Sequence, residues 1–424
     1  MRRFQHLDAT IAATRSTIVL TPMLGARTTL AILVLLTTGC SPSGGGSVDQ
    51  YWPRIHNDLT GIACPSVSLC FAVGNTYVDS TSGYSDYRSL IERWNGSSWS
   101  IVDSPNPTPG DTHLAKVSCA SSSLCFAVGY EGPYVPHGHP LIIKWNGSLW
   151  SAVPTPNVNE ASNALLRDVQ CVTPSVCFAV GQYVPSQGNG SGLIERWNGS
   201  SWTAVAGPHE GLLVGVGCAT ASFCFASGID YTFDGAHSVS LHLTELWDGS
   251  SWRLVPSGSH DGEYEVDSIS CSSRIQCAGS GSLNNQFASL SMMEAWDGVS
   301  WRAVATPHPA APSDGRAFDR LVSVSCADAS FCQAIGSHVL TPPHSAHSDT
   351  LAERWDGSSW TILRTPNGSP TPGANDALLA VSCPTRSRCL AMGHYDGPNG
   401  FLRTLAEQWN GNSWSIVPSA NRSA

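Results

Sequence analysis

The chain has 424 residues, of which only 13% are charged, with 40 glycines, 27 prolines and 15 tryptophans. A composition so poor in charge and so rich in turn formers favours an all-β architecture over a helical one. The formal net charge of -10 leaves no basic field to hold a phosphate backbone, which excludes nucleic acid as an expected partner.

At the N-terminus, residues 28–36 (TTLAILVLL) form an apolar run behind Arg27. A run this short cannot span a bilayer, which takes about 20 residues, and reads as the hydrophobic region of a secretory signal. It ends Leu36-Thr37-Thr38-Gly39-Cys40, and the Gly/Ser-rich segment 41–47 follows as a flexible tether. This junction resembles the bacterial lipobox, in which a small residue precedes a cysteine that becomes lipidated and N-terminal after cleavage. The resemblance implies a signal over 1–39, lipidation of Cys40, a tether over 40–50, and a location on the outer face of the cell membrane. Thr37 stands where that pattern usually has Leu. A start at Met23 would place Met-Leu-Gly-Ala-Arg directly before the apolar run, so translation is expected to begin there.

From residue 59 onward one unit recurs seven times, starting near 59, 114, 165, 212, 266, 321 and 378. Its first element reads LTGIACPSVSLCFAVG in the first unit, LAKVSCASSSLCFAVG in the second and LLAVSCPTRSRCLAMG in the last. Its second element is Trp-[Asn/Asp]-Gly-x-x-Trp, from Trp94/Trp99 to Trp409/Trp414. A spacing of about 52 residues suits a four-stranded propeller blade and exceeds a solenoid coil. Each unit holds four strand-like runs, A to D, as in LAKVS, CFAVG, LIIKW and WSAVP of the second. The Asn-Gly or Asp-Gly between C and D predicts a tight antiparallel hairpin. Residues 51–424 are therefore expected to form one all-β domain, a seven-bladed β-propeller of four-stranded antiparallel blades.

Fourteen of the fifteen cysteines fall into C-x5-C pairs: Cys64/Cys70, Cys119/Cys125, Cys171/Cys177, Cys218/Cys224, Cys271/Cys277, Cys326/Cys332 and Cys383/Cys389. Each pair would join the end of strand A to the start of B, across a hairpin where Cβ atoms come within disulfide range. Zinc is disfavoured, because no C-x2-C spacing and no histidine at a fixed offset accompany the pairs. Glutamate stands two residues before the first Trp in six units, at Glu92, Glu195, Glu245, Glu294, Glu353 and Glu407. A residue repeated so regularly reads as scaffold, making a hydrogen bond or an ion pair between neighbouring blades, with Arg93, Arg196 or Arg354 as candidate partners, rather than as the carboxylate pair of a glycosidase. Asn95-Gly96-Ser97 and its counterparts read as hairpin turns rather than glycosylation sites.

With these motifs the chain resembles secreted bacterial β-propeller repeat proteins over about 59–419, and its Gly-x-Ser-Trp segments are similar to the Asp-box turn of sialidase-type propellers. The Asp box has one residue between Asp and Gly. Here Asp or Asn directly precedes Gly, so the resemblance brings no activity with it.

Alternating strand directions put the A–B and C–D turns at one end of the ring and the B–C and D–A connections at the other. The second end collects the variable sequence. In six blades an aromatic or histidine follows the strand-B glycine within three residues: Tyr77, Tyr130, Tyr183, Tyr231, His338 and Tyr395. These are expected to ring the channel mouth and to offer flat faces with polar tips to a sugar or a peptide side chain. The expected function is that of an exported, lipid-anchored, monomeric surface scaffold binding an extracellular glycan or protein. Two other readings stay open. A glycan-active hydrolase or lyase would use residues unique to single blades, such as His209/Glu210, Asp261/Glu263 or His394/Asp396; a structural envelope component would need none. His137/His139, His344/His347 and Asp230 with Asp234 only sketch metal sites, and neither a metal nor another cofactor is expected.

Overall fold

The computed structural model describes residues 55–78, 86–107, 110–132, 138–156, 163–184, 190–208, 211–233, 238–256, 263–284, 289–309, 318–340, 347–371 and 373–423. The segments expected to be a signal and a tether, with Cys40 between them, lie outside these residues. Twenty-eight strands form seven blades: Ile55–Val102, Thr112–Val153, Asn163–Val205, Leu212–Leu254, Glu263–Val304, Phe318–Leu363 and Asp376–Ile416. In every blade the strands neighbour one another in the order A-B-C-D, all antiparallel, and one parallel bridge, Ser289 to Phe318, also ties blade 5 to blade 6. A single cavity is lined by A strands from all seven blades, so these strands surround the channel.

A disulfide closes the A–B hairpin of each blade, joining Cys64 to Cys70, Cys119 to Cys125, Cys171 to Cys177, Cys218 to Cys224, Cys271 to Cys277, Cys326 to Cys332 and Cys383 to Cys389. The strand-B member of each bridge, Cys70, Cys125, Cys177, Cys224, Cys277, Cys332 and Cys389, is at most 4% exposed. Each packs into the apolar core shared with a neighbouring blade, as Cys70 does beside Trp94 and Trp99. These seven sulfurs are therefore core, because the second residue of each strand B points into the junction with the neighbouring blade. Most of their strand-A partners, such as Cys64 and Cys119, keep partial exposure and face the channel.

Strands A and B are longer than the sequence pattern indicates. Strand A of blade 1 begins at Ile55 rather than 59, and the B strands run on past the CFAVG-type runs to Val78, Glu131, Val184, Phe233, Asn284, Leu340 and Asp396. Hydrophobic alternation stops where a strand leaves the core, but its ladder of backbone hydrogen bonds continues.

The glycine that ends each CFAVG-type run has a steric cause. Strand A slips register beside it, between Leu59 and Gly61 in blade 1 and between Leu321 and Ser323 in blade 6. This bulge presses a strand-A carbonyl against strand B. A Cβ on Gly74 would sit 2.1 Å from the Asp58 oxygen, and one on Gly336 would sit 1.7 Å from that of Arg320. No side chain fits there.

Blades are joined by an aromatic wedge. The two tryptophans of each C–D hairpin face one another across the strands, with centroids 5.4 Å apart at Trp94/Trp99 and 5.9 Å at Trp409/Trp414. Into this pair the preceding blade inserts the residue after its second cysteine. Phe71 lies 4.9 and 5.2 Å from Trp145 and Trp150, and Phe126, Phe178 and Phe225 repeat the contact at the next three junctions. Leu390 does the same for Trp94 and Trp99 across the closing junction. Blade 5 has only Ala278 at this position, and a cavity of about 40 Å³ remains beside Trp355 and Trp360. Blade 6 has Gln333, fully buried, whose side-chain amide makes no hydrogen bond among the described residues.

Blades 1 and 7 are each built from one end of the described chain, so no strand is shared at the closure. Packing and a few polar contacts hold it instead. Leu402 N–H donates to His56 Nδ1 at 3.2 Å, Arg422 N–H to Asn57 Oδ1 at 2.9 Å, and Ala420 N–H to Glu92 Oε2 at 3.0 Å.

The last of these contacts involves one of the strand-C glutamates. All six are buried, at most 2% exposed. Glu92 takes a backbone N–H, and Glu353 Oε2 takes the Thr306 hydroxyl at 2.5 Å from the connection leaving blade 5. The expected arginine pairing is not the arrangement found. Arg93 and Arg196 instead lie 5.9 and 5.6 Å above Trp145 and Trp247 of the following blade, where a cation meets an aromatic face. Burial without a cation pushes Glu92, Glu245 and Glu353 up to about 7, and Glu195 and Glu407 up to about 8.

Two outcomes are expected. Gln333→Leu removes an unbonded buried amide and should raise the unfolding free energy by about 1–2 kcal/mol, whereas Phe178→Ala, which copies blade 5, should cost about 3–5 kcal/mol, both read by denaturant unfolding without reductant. The second concerns pH. A carboxyl with a raised folded pKa gives its full stability below its unfolded value of 4.5 and loses it as pH climbs through about 7 to 8. The melting temperature should therefore fall between about pH 5 and 8, and Glu195→Gln with Glu407→Gln should flatten that slope; an unchanged slope would show that these carboxyls are not the cause.

Candidate functional site

The six aromatic and histidine positions expected at the channel mouth lie on strand B, not in loops. They follow their glycines at different distances: one residue at Tyr130, two at Tyr183, His338 and Tyr395, three at Tyr77 and Tyr231. Side chains alternate along a strand, so they divide between opposite faces. Tyr183 and Tyr395 pack into the junctions with the preceding blades, and His338 turns the same way. Tyr77 and Tyr130 face the other way, and the side chain of Tyr231 lies outside the described residues. They do not form one ring.

A continuous aromatic row does form across blades 7, 1 and 2. The edge of Phe401 meets His56 at 6.0 Å; His56 stacks on Tyr77 at 4.5 Å, Tyr77 on Tyr87 at 4.8 Å, Tyr87 on His113 at 4.2 Å and His113 on Tyr130 at 4.3 Å. Register explains it. His56, Tyr77 and Tyr87 sit opposite one another on strands A, B and C of blade 1, and His113 sits opposite Tyr130 in blade 2. His56 is buried, while the other five are half-buried. Burial holds His113 down at about 4, so this ring is neutral at physiological pH.

The channel is the second concave feature, a cavity of about 310 Å³. One or two positions after the first core residue of strand A, where other blades carry small or apolar residues, three blades place charge. These are Lys116, Arg167 with Asp168, and Asp267. Arg320 Nη2 lies 2.6 Å from Asp267 Oδ1 and 3.4 Å from Glu265 Oε2 across junction 5/6, and Arg167 donates to Gln182 Oε1 at 3.3 Å. Burial pushes Asp168 up to about 6 and lowers Lys116. The sequence reading missed this set, though one signal was available: charge breaking the repeat just before the C-x5-C element.

Blade 6 contributes a histidine and carboxylate group. Fully buried Asp319 takes the Nδ1 of His338, and its other oxygen lies 3.6 Å from His308 Nδ1, which also meets Ser291 Oγ at 3.3 Å. A serine relay needs opposite imidazole nitrogens for the serine and the carboxylate, and here one nitrogen faces both. Of the residues unique to single blades, His394 is largely buried, its pKa held down, and Asp396 Oδ2 accepts both the backbone and side-chain N–H of Asn375. His209, Glu210 and Asp261 lie outside the described residues, as do His137, His344 and Asp234. Among the described residues no three His, Cys, Asp or Glu side chains are placed to share a metal.

Comparison of the sequence with known protein families and with curated proteins found no match. Several solved structures are similar in backbone. YCF48 bound to a D1 peptide is 10% identical, with 80% of this chain and 89% of that one covered at a TM-score of 0.45. Sqt1 of Chaetomium thermophilum, bound to the N-terminus of ribosomal protein L10, is 11% identical, with 86% and 87% covered at 0.47. The SapL1 lectin in complex with alpha methyl fucoside is 13% identical, with 72% and 94% covered at 0.37. Similarities this distant do not bear on what this chain binds.

Proposed function

We propose that this protein is an exported, lipid-anchored propeller whose B–C end binds an extracellular glycan or protein. The observation that carries the reading is the row from Phe401 to Tyr130. Six rings from three blades are packed, by stacked, tilted and edge contacts, into one pre-arranged surface, on a scaffold whose opposite end repeats nearly unchanged from blade to blade. Rings already locked by stacking lose little further freedom when a ligand lands on them, which favours affinity. Seven disulfides fit an oxidising compartment, and the lipobox-like Cys40 with its tether would hold the ring clear of the membrane.

The carboxylates favour binding over hydrolysis. The repeated glutamates are sealed inside blade junctions, and Asp376 and Asp396 are occupied by backbone or amide donors. A glycosidase needs two carboxyls facing one substrate, about 5–10 Å apart.

Two tests apply. Glycan and peptide arrays probed with the purified protein should yield a ligand whose affinity drops about 5- to 30-fold in Tyr77→Ala and Tyr130→Ala, the equivalent of about 1–2 kcal/mol per ring, with Ser97→Ala of the opposite end as control. Equal affinity in all three variants would move the site off the aromatic row. For the anchor, Cys40→Ser should shift the protein from the membrane fraction to the medium, and continued membrane retention would refute lipidation at this residue.

A further inference from the structure

The hydrogen-bond polarity of the central channel points to a second ligand. Strand A carries serines at two levels before its cysteine. Around much of the ring, each such hydroxyl accepts a backbone N–H from strand A of the next blade. Ser118 accepts from Cys171 at 2.9 Å, Ser270 from Cys326 at 3.0 Å, Ser325 from Cys383 at 3.0 Å and Ser382 from Cys64 at 3.1 Å. One level nearer the B–C end, Ser268 accepts from Val324 at 3.3 Å and Ser323 from Val381 at 3.2 Å. All six line the cavity.

A hydroxyl that accepts an N–H still has its own proton to give. Among the described residues none of these six protons has a protein acceptor, so the wall can turn six hydroxyl donors towards a ligand. Lys116, one of two lysines in the chain, stands on the same wall. Its Nζ donates to Leu379 O at 3.3 Å and keeps two further protons. The carboxylates that act on it are already engaged. Asp168 takes the N–H of Val169 at 2.8 Å and of Val216 at 2.9 Å, which turns it into the wall, and Asp267 holds Arg320. Hydroxyl donors at two levels beside one cation match a group rich in lone pairs and carrying negative charge.

We propose that the channel is an anion site, taking one small oxyanion such as phosphate, sulfate or a carboxylate, with Lys116 supplying the charge and the serine hydroxyls the hydrogen bonds. The site is separate from the aromatic row, and either can fail without the other. An anion here would also relieve the burial that lowers Lys116.

Titration calorimetry of the full protein with inorganic phosphate, sulfate and acetate tests it. At least one should bind with one-to-one stoichiometry, at least about tenfold more weakly to Lys116→Met and several-fold more weakly to Ser270→Ala/Ser325→Ala, because charge-assisted bonds exceed neutral ones. Lys116→Arg should keep most of the affinity, and Tyr130→Ala all of it. Near-ultraviolet circular dichroism and a cooperative thermal transition like that of the wild type confirm that each variant is folded. No binding of any of the three anions at tens of millimolar, or equal binding to wild type and Lys116→Met, overturns the proposal.

Discussion

A four-stranded blade is apolar on both faces and cannot bury either alone, so everything in this ring depends on how one blade seats in the next. The seat is the tryptophan pair of each C–D hairpin, and the key is the side chain after the second cysteine of the preceding blade. Four phenylalanines and one leucine fill it; Ala278 and Gln333 do not. The two poorly filled seats are adjacent, at junctions 5/6 and 6/7. Junction 5/6 is also where a backbone bridge joins the blades and where Arg320 clasps Asp267 and Glu265. At junction 5/6, polar and backbone ties thus stand beside a poorly filled seat.

The same repetition that builds the scaffold limits where function can reside. At the C–D turns, Asx side chains and glycines with φ near +100° close similar hairpins: Asn95 Oδ1 takes the N–H of Ser97 and Ser98, and Gly96 has φ +99°. Such turns offer little that differs between blades. Towards the other end, strands A to C outrun the core and the positions along them become free to vary. The aromatic row uses that freedom in blades 7, 1 and 2, and the His308, Asp319 and His338 group uses it in blade 6.

Much of the scaffold was readable because its constraints are local. C-x5-C across a hairpin, Asn-Gly between two tryptophans and a four-run unit each follow from short-range geometry, and repetition made each of them visible seven times. Spacing showed which cysteines pair, but not that the strand-B sulfurs, Cys70 to Cys389, are sealed into the core, since what covers them comes from another blade. The strand-B glycine was visible too, but its cause was not, because the offending oxygen belongs to a bulge in strand A. The glutamates were recognised as scaffold, yet the partner assigned to them was wrong: Arg93 and Arg196, beside them in sequence, point to the opposite face of the strand and rest on the next blade's tryptophan.

By itself, the sequence determined the number of blades, their strand order, the disulfide pairing and the end at which variation gathers, because all of these are set by spacing along the chain. Only the tertiary structure decided which of the variable residues meet. Tyr77, Tyr130, Tyr183 and Tyr395 look equivalent when counted from their glycines, but a one-residue change in offset moves a side chain from one face of a strand to the other. His56 and Phe401 join the first two through ring closure, which brings together residues more than 340 positions apart. The channel serines show the same limit. Their neighbourhood is a circle of seven strands, and no segment of the chain contains it.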